Sequence, residues 1–288
     1  MLSYQRDHFV NTEDLVFPYL EDISGTLRGY RIFTACRTVN GKIFRLEDHL
    51  DRLYKSASLI YMQPPKTRSK LQDVLMSVVD KNKELDSADL LIDIIFSGGL
   101  QGETMKQSGR GAHLYIVAQR MFSPPAEFYK NGVTLATFAH QRMLPGVKLL
   151  NYIGAVIAHQ TVVPEYDAYD TLFVCPNDLQ TILEGSTFSI FFILESGQLV
   201  TPPLDGRILD SVTRRAILEL MKSNNKIEVL EKPVNLDQIA TFREAFLAST
   251  TRNILPVVRL NDKVVGSGKP GPLTLEMMDL LNNYVNSY

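Results

Sequence analysis

Tryptophan is absent from the 288 residues, and cysteine occurs only at Cys36 and Cys175. Two isolated thiols build neither a disulfide framework nor a thiolate zinc site, and they fit a reducing compartment. The five histidines are scattered, with no partner at metal-ligand spacing. Neither sign of charge dominates: 30 basic against 32 acidic residues leave a net charge of -2, which recommends neither nucleic acid nor an anionic membrane as partner. The strongest apolar runs, "LLIDIIF" and "SIFFIL", fall far short of the ~20 residues of a membrane span. "MLSYQRDHFV" has no apolar core of signal-peptide length, so a cytoplasmic protein is expected. There are no repeats and no glycine-rich nucleotide loop; "SGGLQG" reads as an ordinary loop.

What is present is a soluble-type composition, 45% hydrophobic and 22% charged, in a chain long enough for two cores. From Thr26 to Phe44 the sequence reads as extended segments around the turn Asn40-Gly41. Leu46, Leu50, Leu53, Ala57 and Ile60 then recur at three and four, one buried helix face, and "TRSKLQDVLMSVVDKNKEL" repeats the pattern. "ADLLIDIIFSGG" and "AHLYIVAQR" read as buried strands. Residues 1–120 thus form a small α/β domain, and Pro124-Pro125 marks a linker over 121–132. The remainder, 133–288, is a larger domain. In it "GVTLATFAHQR" reads as a strand, "LLNYIGAVIAHQTVV" as a helix, and residues 170–203 as strands joined by the turns "PND" and "ESGQ". The helix "ILDSVTRRAILELMKSN", further strands over 245–268 and a last helix "GPLTLEMMDLLNNYVN" complete it.

Lys148 opens the run "GVKLLNYIGAVIAHQ". On a helix or its first turn, Asn151 and Tyr152 would share its face, joining an amine, an amide and a phenol. An uncharged lysine is a nucleophile toward aldehydes, but a lone lysine is more often a solvated end-charge. Glu184 sits at the entry to a buried strand before Gly185; it either faces a cleft, where it can hold a protonated ring nitrogen, or is a solvated strand end. Ser211, Val212 and Thr213 open a helix, where free amides make an anion site and Asp210 or Ser211 can equally serve as a cap. The cluster "ASTTRN" at 248–253 offers more hydroxyls for the same anion or merely a turn. Arg52 lies off the apolar face of its helix and is either an anion clamp or solvated.

Taken in order, six blocks resemble the class IV, fold type IV family of pyridoxal-phosphate enzymes: branched-chain and D-amino-acid aminotransferases and aminodeoxychorismate lyase. They are "FTACRTVNGKIFRLEDHLDRL" (33–53), "PGVKLLNYIGAVIAHQ" (145–160), "YDTLFVCPNDLQTILEGSTFSIFF" (169–192), "VTPPLDGRILDSVTR" (200–214), "EAFLASTTRNILPVV" (244–258) and "GSGKPGPLT" (266–274). The resemblance spans nearly the whole chain. It implies the two-domain D-amino-acid-aminotransferase-like fold, with a small α/β domain and a larger β-barrel-like domain carrying helices. It also implies a homodimer and the cofactor pyridoxal 5'-phosphate. By it, Lys148 forms a Schiff base with the cofactor aldehyde and moves the substrate proton. Glu184 pairs with the pyridine nitrogen, Leu209 packs on the ring and Tyr152 supports the ring hydroxyl. Arg52, Val212, Thr213 and Thr250 bind the phosphate.

Departures from the family pattern bear on the substrate. Ser211 replaces a glycine, Ser189 an asparagine, and "GYRIFT" stands where "GDGxFE" is usual, so Phe33 and Thr34 replace an aromatic-glutamate pair. Glu103 and Met105 stand where D-specific enzymes have an arginine and a histidine, which disfavours D-amino acids. The lyase contacts are missing too, with Ala35 and Ser249 in place of a threonine and an asparagine. The resemblance leaves an aminotransferase for an amino acid of hydrophobic L type and a 2-keto acid. Tyr30 and Phe33 would be apolar walls, Arg37 or Arg142 carboxylate contacts, and Thr251 a further substrate contact. The alternatives are the lyase, releasing pyruvate and 4-aminobenzoate, and a silent cofactor-binding homologue.

Overall fold

The computed structural model describes residues 1–86, 88–100, 111–224 and 227–288. They form two compact units: residues 1–122 with 147–151 and 288, and residues 123–146 with 152–287.

In the first unit, strands β1 (Leu2–Gln5), β2 (His8–Asn11), β3 (Arg31–Val39), β4 (Lys42–Ile43), β5 (Leu90–Ser97) and β6 (His113–Arg120) form one sheet in the order β2-β1-β6-β5-β3-β4. The pairings among these strands are antiparallel. Helix α1 (Ile23–Arg28) precedes β3, and the long helices α2 (Leu46–Leu59) and α3 (Arg68–Leu85) lie between β4 and β5 in sequence. Asn40 and Gly41, with φ of 52° and 76°, make the tight turn of the β3–β4 hairpin, a conformation that Asn and Gly tolerate best.

Alternation along the strands decides what faces the helices. Ile32 and Cys36 of β3, Ile92, Ile94 and Phe96 of β5, and Leu114, Ile116 and Ala118 of β6 share one core with Leu50, Leu53 and Ala57 of α2 and Leu71, Leu75 and Val78 of α3. Phe33, Ala35 and Arg37, with Asp93 and Ile95 opposite them, therefore lie on the other face of the sheet.

Helix α2 is buried over more than its apolar stripe: His49, Arg52 and Ser56 are buried as well. These three follow one another at three and four, so a polar stripe runs beside the apolar one.

The second unit begins with helix α4 (Ala126–Asn131) and strand β7 (Val133–Ala139), and continues through helices α5 (Ile153–Gln160) and α6 (Val162–Glu165). Strands β8 (Asp170–Val174), β9 (Ile182–Gly185), β10 (Ser189–Leu194) and β11 (Leu199–Thr201) follow, then helix α7 (Val212–Asn224). Strands β12 (Val229–Glu231), β13 (Phe242–Ser249), β14 (Asn253–Leu260) and β15 (Lys263–Val264) and helix α8 (Pro272–Asn286) close the chain. The sheet runs β12-β11-β10-β13-β14-β7-β8-β9, with β15 beside β14.

This sheet curls until its ends meet. The Ile182 amide of β9 donates to Val234 just beyond β12 at 2.8 Å, and Thr181 bridges Asn235 beside it. Its interior holds Leu172, Ile182, Ile190, Phe192, Leu247 and Leu255. Helix α8 is anchored from the sheet: the Glu244 carboxylate of β13 accepts from the Leu273 and Thr274 amides at 3.2 and 2.7 Å, satisfying donors of the first helical turn.

Two expectations change here. The segment 147–151 groups with the first unit, although the sequence boundary at 133 assigns it to the second domain. It is also not helical, since α5 begins only at Ile153. Phe33 N donates to Lys148 O at 3.0 Å, Leu150 N donates to Arg31 O at 3.0 Å, and Leu149 bridges Ile32, so the edge of β3 recruits this stretch as extended chain. Lys148, Asn151 and Tyr152 consequently do not share a helix face.

Candidate active site

The first unit gathers two of the proposed functional cations at one short piece of strand. Lys148 is half-buried, and its Nζ stands 4.5 Å from the centre of the Phe33 ring. Its amide donates to Ser56 Oγ of α2 at 3.3 Å, so the residue is fixed between strand and helix. On the opposite face of the same strand, Thr34 Oγ1 accepts from Arg52 Nη2 at 2.8 Å and hydrogen-bonds His49 Nδ1 at 2.9 Å. Arg52, the residue expected to be either clamp or solvated, is a buried guanidinium at 8% exposure. Thr34, the departure from the family glutamate, accepts one of its hydrogen bonds.

Of the remaining first-unit candidates, Tyr30 leaves this face, whereas Arg37 shares it by strand alternation. The Tyr30 hydroxyl donates to the Ile60 carbonyl at the end of α2 and its ring packs on the helical core, so it does not share the Phe33 face. The Arg37 guanidinium lies 5.8 Å from the Phe44 ring centre. Glu103 and Met105 lie outside the described residues.

A residue that composition reading passed over stands on the Lys148 face. Asp93 of β5 pairs in register with Ala35, next to Phe33 and Ile95. Burial pushes its carboxyl up to about 6, and the Lys148 charge is the one influence that pulls it back. The signal was available as the single charge within "LLIDIIF".

In the second unit, Glu184 of β9 is 4% exposed. Both its carboxylate oxygens accept from the Leu209 amide at 3.2 Å, and one accepts from Arg142 Nη2 at 2.9 Å. Arg142 is thus engaged by Glu184 rather than standing apart as a substrate contact. Tyr152 packs against a cluster that includes Leu183 and Ile208, the neighbours of Glu184 and Leu209.

Helix α7 begins at Val212, with Ser211 as its cap: Arg214 N donates to Ser211 Oγ at 3.4 Å and Arg215 N to Ser211 O at 3.0 Å. The first-turn amides of Val212 and Thr213 have no acceptor within the helix, as its geometry requires. Thr250 and Thr251 form the turn between β13 and β14, and the hydroxyl of Ser249 beside them is buried with no partner.

A further polar network supports the turn after Glu184. Asp170 accepts from Ser186 Oγ at 2.6 Å and from Arg252 Nη2 at 3.0 Å, and it hydrogen-bonds His159 Nε2 at 3.0 Å. Desolvation works to raise the Asp170 carboxyl, but these donors and the Thr171 amide together hold it below its usual range. The hydrogen bond to Asp170 raises His159 above its ordinary value. Among the described residues no cluster of histidine, cysteine or carboxylate side chains could hold a metal, and no helix is long and apolar enough to cross a membrane.

Residues 31–260 match the family described as amino-transferase class IV. The chain is 28% identical over 284 residues to a Methanocaldococcus jannaschii protein bearing a provisional branched-chain-amino-acid aminotransferase name, covering 97% of this chain and 94% of that one. It is 28% identical over 268 residues to the D-alanine aminotransferase of Bacillus licheniformis, with 90% of each covered. Among solved structures, the branched-chain aminotransferase of Thermoproteus uzoniensis with norvaline superposes with a TM-score of 0.86 at 23% identity, over 100% of this chain and 95% of that one. The branched-chain amino acid aminotransferase of Escherichia coli gives 0.82 at 22% identity, over 96% and 92%.

Proposed function

The chain belongs to the class IV aminotransferases, and we propose that it moves an amino group between an L-amino acid and a 2-keto acid, with Lys148 as the reacting amine. Class IV aminotransferases use pyridoxal 5'-phosphate. The observation that carries the reading is the placement of Lys148: a half-buried lysine whose backbone is hydrogen-bonded to β3 on one side and to Ser56 of α2 on the other. A solvated end-charge needs no such anchoring.

The residue chemistry fits the cofactor. Glu184, buried and held by two donors, is a carboxylate suited to a protonated ring nitrogen, and Leu209 is hydrogen-bonded to it through its amide. Buried Arg52 and the first-turn amides of α7 are anion donors of the kind a phosphate needs, with the hydroxyls of Thr213 and Thr250 added. The orphaned Ser249 hydroxyl beside Thr250 marks a polar group left for a ligand. Tyr152 supports the ring hydroxyl in this assignment. When bound, the cofactor supplies an electron sink for the carbon that loses its proton.

The chain's own work is positioning and proton transfer. Lys148 would supply the amine to which the cofactor attaches, and the same amine would carry the proton taken from the substrate α-carbon. Glu184 holds the ring proton, and Arg142 and the Leu209 amide fix Glu184 in turn. The polar stripe of α2 holds Arg52 through Thr34. Phe33 and Ile95 offer apolar wall to a substrate stem, which supports an amino acid with an aliphatic portion; the Thermoproteus uzoniensis relative is solved with norvaline. The L configuration rests on the sequence reading of Glu103 and Met105. Two buried free thiols, Cys36 and Cys175, support a cytoplasmic setting. We assign a homodimer on the family resemblance.

The test is a half-reaction. Wild-type protein with cofactor, mixed with single amino acids, converts to the amine form of the cofactor with at least one of them. Lys148→Ala retains its fold by circular dichroism and loses the conversion by at least ~10³-fold, the scale of a lost nucleophile and proton carrier. Unchanged conversion in that variant refutes the assignment.

A further inference from the structure

We propose that Asp93 determines which amino acid is taken: its carboxylate receives an ammonium group at the end of an aliphatic side chain, so diamino acids of the ornithine class are preferred over plain aliphatic ones. The inference rests on the assignment of Lys148 as the reacting amine and adds the substrate class.

Four observations carry it, all within the first unit. The register pairs Asp93 with Ala35 and Ile95 with Phe33, placing Asp93 on the sheet face where Lys148 Nζ stands 4.5 Å from the Phe33 ring centre. Any molecule reacting at that amine presents its substituents to this face. The cross-strand neighbour is alanine, whose side chain offers the carboxylate no polar partner. Every other residue of β5 is buried, and Asp93 interrupts that run as the one charged, only partly buried residue. An acid of this kind on a central strand is costly where an apolar side chain would pack, so its presence needs a use.

The charge balance supplies that use. Lys148 is the one charge that acts to keep the Asp93 carboxyl ionised. A lysine serving as nucleophile or base is uncharged at that moment. Asp93 is then a mostly desolvated carboxylate without a counter-charge, and a substrate ammonium restores one. A plain aliphatic substrate leaves the carboxylate unpaired. Phe33 and Ile95 accommodate the methylenes that lead to the ammonium group.

The test uses binding as well as turnover. Reduced phosphopyridoxyl adducts of L-ornithine and L-norvaline are titrated calorimetrically into the cofactor-free full-length protein, and kcat/KM is measured for both amino acids with the holoenzyme. Wild type is expected to prefer ornithine by roughly 10- to 100-fold in both readouts, the value of a charge-assisted hydrogen bond in a desolvated site. Asp93→Asn, which keeps the shape, abolishes the preference, and Asp93→Leu reverses it toward norvaline. Equal wild-type affinities, a preference that survives in both variants, or a uniform loss for both amino acids overturns the selection by Asp93. A wild-type enzyme active on norvaline alone overturns this inference and leaves the aminotransferase assignment standing, whereas conversion of no amino acid at all refutes both.

Discussion

At the scale of single residues, the chemistry turns on side chains whose surroundings the sequence does not print. In the sequence Arg52 sits between Asp51 and Leu53 on a helical stretch, whereas Asp93 is a charge within the apolar run "LLIDIIF". In the structure Arg52 is held by a hydroxyl, whereas Asp93 is desolvated and answered only by Lys148. The consequence for Asp93 is a stability effect with a definite sign. Its folded carboxyl, raised to about 6 from an ordinary value of 3.8, is stabilising in its protonated form, so stability falls as pH rises from about 4 through 6. The size of the rise corresponds to roughly 3 kcal/mol, part of which an asparagine recovers because it still wants hydrogen-bond partners. Asp93→Asn is therefore expected to raise the Tm of the cofactor-free protein by a few degrees at pH 7.5 and to leave it unchanged at pH 4. Scanning calorimetry at the two pH values decides it; an equal or lower Tm at pH 7.5 means the folded protein accommodates the carboxylate without cost.

At the scale of elements, the helices with a regular apolar period were legible, and so was the Asn40-Gly41 hairpin, because local pattern and local turn chemistry agree there. The stretch around Lys148 was not. Its apolar residues suit the helix that follows, but the exposed edge of β3 offers Leu149 and Leu150 backbone partners, and pairing with a strand edge overrides propensity. The polar stripe of α2 was illegible for another reason: a buried polar side chain is written with the same letter as a solvated one.

Strands β8 and β9 carry two predictions. A Cβ on Gly185 would meet the Phe188 ring at 2.2 Å, so Gly185→Ala must displace either the ring or the end of β9 that bears Glu184. Cofactor affinity is expected to fall about tenfold or more, read by fluorescence titration, together with a lower Tm. The His159–Asp170 contact gives a pH signature. His159 is raised, so its contribution is complete below about pH 6.5 and is lost as pH rises through the higher folded value. His159→Ala should destabilise measurably in urea at pH 6 and very little at pH 9. Equal effects at both would show that the contact is packing rather than charge.

At the scale of the whole molecule, the sequence suggests a linker at Pro124-Pro125, whereas the grouping of 147–151 with the first unit was not legible, because it is made by backbone hydrogen bonds. The chain thus delivers its candidate amine to one unit and its candidate ring-nitrogen partner, Glu184, to the other, and each is anchored within its own unit by neighbours of quite different chemistry. Sedimentation equilibrium is expected to give twice the 32.5 kDa chain mass, in keeping with the assigned homodimer; a single-chain mass at micromolar concentration would remove that assignment without touching the chemistry.

The central claim is that Lys148 is the amine to which the cofactor attaches. The most direct measurement is borohydride reduction of the cofactor-loaded protein followed by peptide mass spectrometry. A phosphopyridoxyl mass is predicted on the peptide containing Lys148, and none in Lys148→Ala treated alike. The same mass on another lysine, with the Lys148 peptide unmodified, would contradict it.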